Sequence, residues 1–313
     1  MYDTLMIRIV LVFLMLILAP LPVQAGAEDW NHTEVVVAAK RPPGPALWRV
    51  KSGESEVVIV GILPVFPKSQ GWNQKRLENA LHGAKVLITP PDAKTSAGDA
   101  VRVLRTKGLP GKQTLKDVLP PDLNARFEAT AKRAGVSAKS FARDKPVWAG
   151  ARLRREVLEK RRLRADEPTD TIVRIARKQG VPVRPAGKYK TGPVLKDLNR
   201  LSDQDSQDCL RYTLGDIDFN MDRAPKAAAA WAVGDIRTVR ANYQGGAMAA
   251  CLEGSDVGTA MLERSVDDIV GAINSGLQTP GKTVVIVPLS PLLRQGGALD
   301  QLQARGLKIS APE

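Results

Sequence analysis

Three short β-branched runs restrict the folds open to this chain more than any other feature: EVVIVGIL at 56–63, AKVLIT at 84–89 and KTVVIV at 282–287. Successive side chains of a strand point to opposite sides of a sheet, so a run that is apolar at every position marks a strand buried on both faces. Pro64 closes the first run and Pro90-Pro91 the second. Between them, Leu77, Ala80 and Leu81 recur at helical spacing within 73–81. Strand, helix, strand in this order predicts a crossover unit in a sheet covered by helices. The expected fold class is therefore α/β (α+β): a central mixed β-sheet covered by helices, with a helix-rich layer in the C-terminal half.

The remaining pattern agrees with this class. Helical periodicity marks 122–134, 147–164 and 171–179, with Gly180 where a left-handed C-cap belongs. A short strand is expected at 181–183. From 203 to 277 the sequence is helical in character, with a break or kink expected at Pro225. A helix at 296–305 carries Leu299 and Leu302 on one face, stops at Gly306 and precedes a last strand at 307–309. Arg41-Pro42-Pro43-Gly44-Pro45 prevents helix, so 26–45 is expected as a flexible leader arm and 46–313 as the folded domain.

The N-terminus indicates a compartment. Arg8 leads into an apolar run from Ile9 to Ala19, too short to span a membrane, followed by Val23-Gln24-Ala25 before Gly26. This is the pattern of a signal peptide over 1–25, cleaved between Ala25 and Gly26, whether translation starts at Met1 or Met6. The mature protein is then expected to be periplasmic or secreted. Cys209 and Cys251 are the chain's two cysteines. In an oxidising space a disulfide between them is expected, two buried thiols being the alternative.

Composition excludes some chemistry. The net charge is +13, but aromatic residues make up only 4% of the chain. That leaves few stacking platforms for single-stranded nucleic acid, and no nucleic-acid partner is expected. The two histidines, His32 and His82, are too few for a His-rich metal centre. No cofactor or metal is expected.

Ala46-Leu47-Trp48-Arg49-Val50 followed by a strand and Gly61-Ile62-Leu63-Pro64 resembles the opening of the TraB/GumN family. Pro146-x-Trp148, Trp231-x-x-Gly234-Asp235, Leu262-x-Arg264 and Gly297-x-Leu299-x-x-Leu302-x-x-x-Gly306 continue the resemblance in order. The family is similar to the Tiki proteases and the erythromycin esterase group, whose proposed site combines two G-x-x-H motifs with a strand-borne glutamate. The resemblance implies that this chain has lost that site. Pro64 and Pro291 stand where the histidines would, Pro90 where the glutamate would, and Tyr189 at a further carboxylate position. Proline has no side-chain donor, acceptor or metal lone pair. A catalytically degenerate envelope protein is the expectation. The alternatives are a metal-independent hydrolase with a relocated site, using Ser290 or Asp92, and an accessory factor in exopolysaccharide or envelope biogenesis.

Around the presumed strand ends the sequence offers cations and hydroxyls: Lys68, Lys188, Lys190, Arg264, Ser290 and Arg294. An anion-binding cleft is expected from them, with Arg264, Lys188, Ser290 and Arg294 as its candidate residues. The run RLRREVLEKRRLR from Arg152 to Arg164 is the strongest cluster of charge. A solvated helix face explains it, and so does a dock for lipopolysaccharide, acidic polysaccharide or phospholipid headgroups.

Overall fold

A computed structural model describes residues 43–164, 167–246, 250–252 and 256–310. The expected signal peptide with its Ala25–Gly26 cleavage point, most of the expected leader arm and His32 lie outside the described residues.

In chain order the elements are β1 (Leu47–Ser52), β2 (Ser55–Ile62), β3 (Phe66–Pro67), α1 (Lys75–Leu81), β4 (Ala84–Thr89), β5 (Asp92–Lys94) and α2 (Ala97–Thr106). Next come α3 (Leu115–Val118), α4 (Pro121–Ala134), a 3-10 turn (Ala138–Phe141), α5 (Pro146–Lys160), β6 (Leu163–Arg164), α6 (Glu167–Lys178), β7 (Val183–Pro185), β8 (Lys188–Lys190) and α7 (Gly192–Leu198). The last are α8 (Asp203–Val233), α9 (Ile236–Asn242), α10 (Asp256–Leu277), β9 (Gly281–Pro288), α11 (Leu289–Leu293), α12 (Ala298–Ala304) and β10 (Ile309–Ser310).

The main sheet has the order β10-β1-β2-β9-β4-β7. β2, β9, β4 and β7 run parallel, while β1 pairs antiparallel with both β2 and β10, so the sheet is mixed. The three β-branched runs are its central strands. Val57, Val58, Ile59 and Val60 are fully buried, as are Val284 to Val287, because helices cover both faces. β9 comes late in the chain yet inserts between β2 and β4, so the two strands of the first crossover are not neighbours.

Helix α8 joins two cores. Leu210, Leu214 and Ile217 in its first half pack with Leu123, Phe127 and Leu153 of α4 and α5. Ala227, Ala228 and Trp231 in its second half pack on the sheet. Of the break or kink expected at Pro225, the break does not occur: α8 is one helix of 31 residues. Pro225 is exposed, so the carbonyl that loses its helical partner can turn to water. The helix expected over 147–164 ends at Lys160, because Arg162 takes a positive φ and turns the chain into β6. The sequence reading did not foresee β1, β5, β8, α2 or α7.

The Cys209–Cys251 bond is not present in the structure. Both are free thiols, buried in one cluster with Val147, Trp148, Val194, Leu198 and Leu252. The hydrogen bond with Cys209, and then burial, raise the Cys251 thiol far above its ordinary value. This is the arrangement of two apposed, unbonded thiols, the second of the two states weighed from sequence. Among the described residues no helix is long and apolar enough to cross a membrane.

Candidate functional site

The parallel strands β2 and β9 end together: Ile62 pairs with Pro288 in the last register position. The chain leaves both strands at this edge, which is where parallel sheets open a crevice. A cleft of about 330 Å³ lies here, with Pro64, Pro288 and Pro291 along its strand side. Helices α5, α8 and α10 add Arg154, Thr213, Leu262, Ser265 and Val266, and Tyr243, Ser290 and Arg294 complete the polar lining.

Several sequence motifs acquire a physical reason at this edge. Gly61 leaves no room for a side chain, since a Cβ there would lie 2.6 Å from Leu289 Cδ2 and 2.7 Å from Trp48 Cζ3. Its carbonyl accepts a 2.7 Å hydrogen bond from Trp231 Nε1. Phe66 and Trp72 meet the Trp231 ring edge-on at centroid distances of 5.3 and 5.2 Å. Three residues on, Gly234 closes α8 in the left-handed conformation at φ 80°, and Asp235 caps α9 by accepting from Thr238 N. The Thr238 hydroxyl and backbone hold the Asp235 carboxyl below its ordinary value. Gly297 brings its backbone against the carbonyls of Pro291 and Arg294, where a Cβ would approach to 2.7 Å. Gly61, Trp231, Gly234, Asp235 and Gly297 fix the strand end and the turns that flank the cleft, and none of them lines it.

The expected cation set divides. Ser290 and Arg294 line the cleft. Lys68 is exposed beside the β3–β6 ribbon, where its N–H meets the Arg162 carbonyl. Lys188 and Lys190 belong to the two-stranded β5–β8 ribbon. Arg264 is exposed, 5.4 Å over the ring of Tyr189 and 3.9 Å from the Asp268 carboxylate. It braces the ribbon against α10 instead of entering the cleft. Pro90 ends β4 at the same sheet edge but is not among the lining residues, and Tyr189 points to α10.

Sequence reasoning missed Arg154 as a cleft residue because it is hidden in the basic run. Its Nε donates 2.8 Å to Asp216, a buried carboxylate that Asn220 Nδ2 also reaches at 3.0 Å. Only the tertiary fold brings these partners together. The other cations of the run are largely committed as well. Arg152 pairs with Asp144 and Glu156, Lys160 reaches the Gly135 carbonyl, Arg161 the Arg133 carbonyl, and Arg164 pairs with Glu167 and Asp170. The run from Arg152 to Arg164 is thus mainly a set of structural braces, with Arg155 and Arg162 exposed.

The ionisable groups lining the cleft are Arg154, Tyr243 and Arg294. No carboxylate or histidine lines it among the described residues. Asp92 sits on the β5–β8 ribbon, 3.7 Å from Lys94. His82 caps α1 just before β4 begins, at the opposite end of the parallel strands from Pro64 and Pro291. The positions that in the family resemblance would hold a metal offer three prolines and a tyrosine engaged elsewhere. A catalytic metal does not fit them.

An α/β protein with a cleft at the carboxyl ends of its parallel strands is the class that fold and site define. Residues 46–311 match the model of the TraB/PrgY/gumN family, and the chain belongs to that family. No curated protein and no solved structure matches it.

Proposed function

We propose that this protein is a non-catalytic member of the family that is exported to the cell envelope and binds a small anionic ligand in the cleft between β2, β9 and α10. One observation carries the reading: Arg294 projects into the cleft beside Pro291, with no ion-pair or side-chain hydrogen-bond partner among the described residues. Arg154, steered by Asp216, supplies a second positive group on the facing wall. A guanidinium suits the two oxygens of a carboxylate or phosphate, and proline walls exclude water without competing for the ligand.

Export rests on the apolar run at 9–19 and the small-residue pattern ending at Ala25. Cell fractionation with N-terminal sequencing tests it, Gly26 being the expected first residue of the exported chain.

The cleft is tested by isothermal titration calorimetry with inorganic phosphate and with glucuronate. Saturable binding of at least one probe is expected, weakened about tenfold in Arg294→Ala, since hydrogen bonds to charged groups contribute about 1.5–3 kcal/mol. Equal heats for the wild type and this variant would remove the cleft from the account.

A further inference from the structure

We infer that the β5–β8 ribbon and helix α2 form a docking surface for an anionic lipid bilayer. The surface lies apart from the cleft and does not depend on ligand binding there.

Tyr189 fixes the orientation of the ribbon. Its hydroxyl donates a 2.7 Å hydrogen bond to Asp268 Oδ2 of α10, so Tyr189 faces the body of the protein. Its neighbours along the strand, Lys188 and Lys190, therefore project from the opposite face. β5 and β8 pair in parallel with Asp92 opposite Lys188 and Lys94 opposite Lys190, which brings Lys94 onto that outer face as well. All three lysines are exposed.

Two residues after Lys94, Ser96 caps α2 by accepting from Asp99 N. A 2.8 Å hydrogen bond between the Thr95 and Thr191 hydroxyls ties the helix entry to the end of β8. Within helix α2 only Asp99 and Val103 are partly buried, and none of its residues is fully buried. Val101 is 45% and Leu104 67% exposed, three positions apart on one face. Arg102 and Arg105 flank them, both exposed.

Two exposed aliphatic side chains and two arginines on the helix, with three exposed lysines on the ribbon that leads into it, match the composition of a membrane interface. The aliphatic groups enter the headgroup boundary while lysine and arginine meet lipid phosphates. The acidic groups within this surface, Asp92 and Asp99, already face Lys94 and Arg102. Charge complementarity favours an anionic bilayer over a second copy of a chain that itself carries +13.

The test is cosedimentation of the full chain with vesicles of equal parts phosphatidylglycerol and phosphatidylcholine, and with vesicles of phosphatidylcholine alone. Binding is expected to the anionic vesicles, weakening as salt is raised. The double variant Val101→Asp/Leu104→Asp and, separately, Lys188→Glu/Lys190→Glu should each bind at least tenfold more weakly, with unchanged melting temperatures because no altered side chain is buried. About a fivefold change per cation is the usual scale. Equal binding to both vesicle types, or vesicle binding that both variants retain, would overturn the assignment. Sedimentation analysis that shows concentration-dependent dimers abolished by Leu104→Asp would also overturn it, giving this face to a second copy.

Discussion

Trp231 donates its indole N–H to the Gly61 carbonyl across 170 positions of sequence, at 2.7 Å. The bond joins the end of α8 to the end of β2, at the point where the chain leaves the sheet to form the cleft wall. Gly61 lies past the last β1–β2 pair, Val60 with Leu47, so its buried carbonyl takes a donor from outside the sheet, and the indole supplies it. Trp231→Phe keeps most of the ring packing against Phe66 and Trp72 but leaves that carbonyl unpaired. It should lower unfolding free energy by about 1–3 kcal/mol. Gly61→Ala, which drives a methyl into Trp48 and Leu289, should cost about 1–3 kcal/mol by overpacking. Urea denaturation of both variants measures these losses.

The Arg154–Asp216 pair links stability to the cleft. Asp216 is 2% exposed, while about a third of the Arg154 side chain reaches solvent. Asp216→Asn should therefore destabilise by about 2 kcal/mol, less than the loss of a partner in a fully buried pair. The same variant removes the negative charge behind Arg154, so phosphate and glucuronate should bind more tightly. Calorimetry that shows unchanged binding in Asp216→Asn would remove Arg154 from the ligand site.

Tyr189 makes stability depend on alkaline pH. Partial burial, and then the Asp268 carboxylate that accepts its hydroxyl, push the Tyr189 phenol above its ordinary value. The folded chain keeps this proton at pH values where the unfolded chain has released it. The contribution is thus complete below about pH 10 and is lost as pH rises through that value towards the higher folded pKa. Phenolate absorbance should show a late-ionising tyrosine, and Tyr189→Phe should remove it. A late step that survives the substitution would assign it to another tyrosine.

The apposed thiols should be chemically quiet. Cys209 and Cys251 are buried, and the raised Cys251 thiol leaves little thiolate to react. Protein kept reduced should give no fast reaction with a thiol-specific dye when native and two reactive thiols once unfolded. Rapid native labelling would show that the cluster around Val147 and Leu252 opens.

The central strands were legible from sequence because a fully buried strand has a signature that no partner can alter: apolar residues at every position. EVVIVGIL and KTVVIV became the buried strands β2 and β9, AKVLIT became β4 with the same bounds though only Leu87 and Ile88 of it are buried, and Gly180 took its left-handed φ of 73°. The family resemblance was legible for a related reason, since Gly61, Trp231, Gly234 and Gly297 occupy positions where steric fit permits little else. Sequence also placed Pro64, Ser290, Pro291 and Arg294 near strand ends, where the structure gathers them into one cleft.

Which charges face that cleft was decided only by the tertiary structure. Arg264 and Arg154 are both arginines on predicted helices, yet the fold turns Arg264 towards Tyr189 and Arg154 towards Thr213 and the cleft. The basic run at 152–164 reads as one charged stripe in sequence. Its charges are in fact distributed among carboxylates and carbonyls up to 62 positions away. Backbone conformation and burial follow from local pattern, because each residue's steric and apolar character acts over a few neighbours. A charged side chain acquires its role from whatever opposite charge the packing of distant helices brings within hydrogen-bond reach, and only the assembled fold fixes that distance.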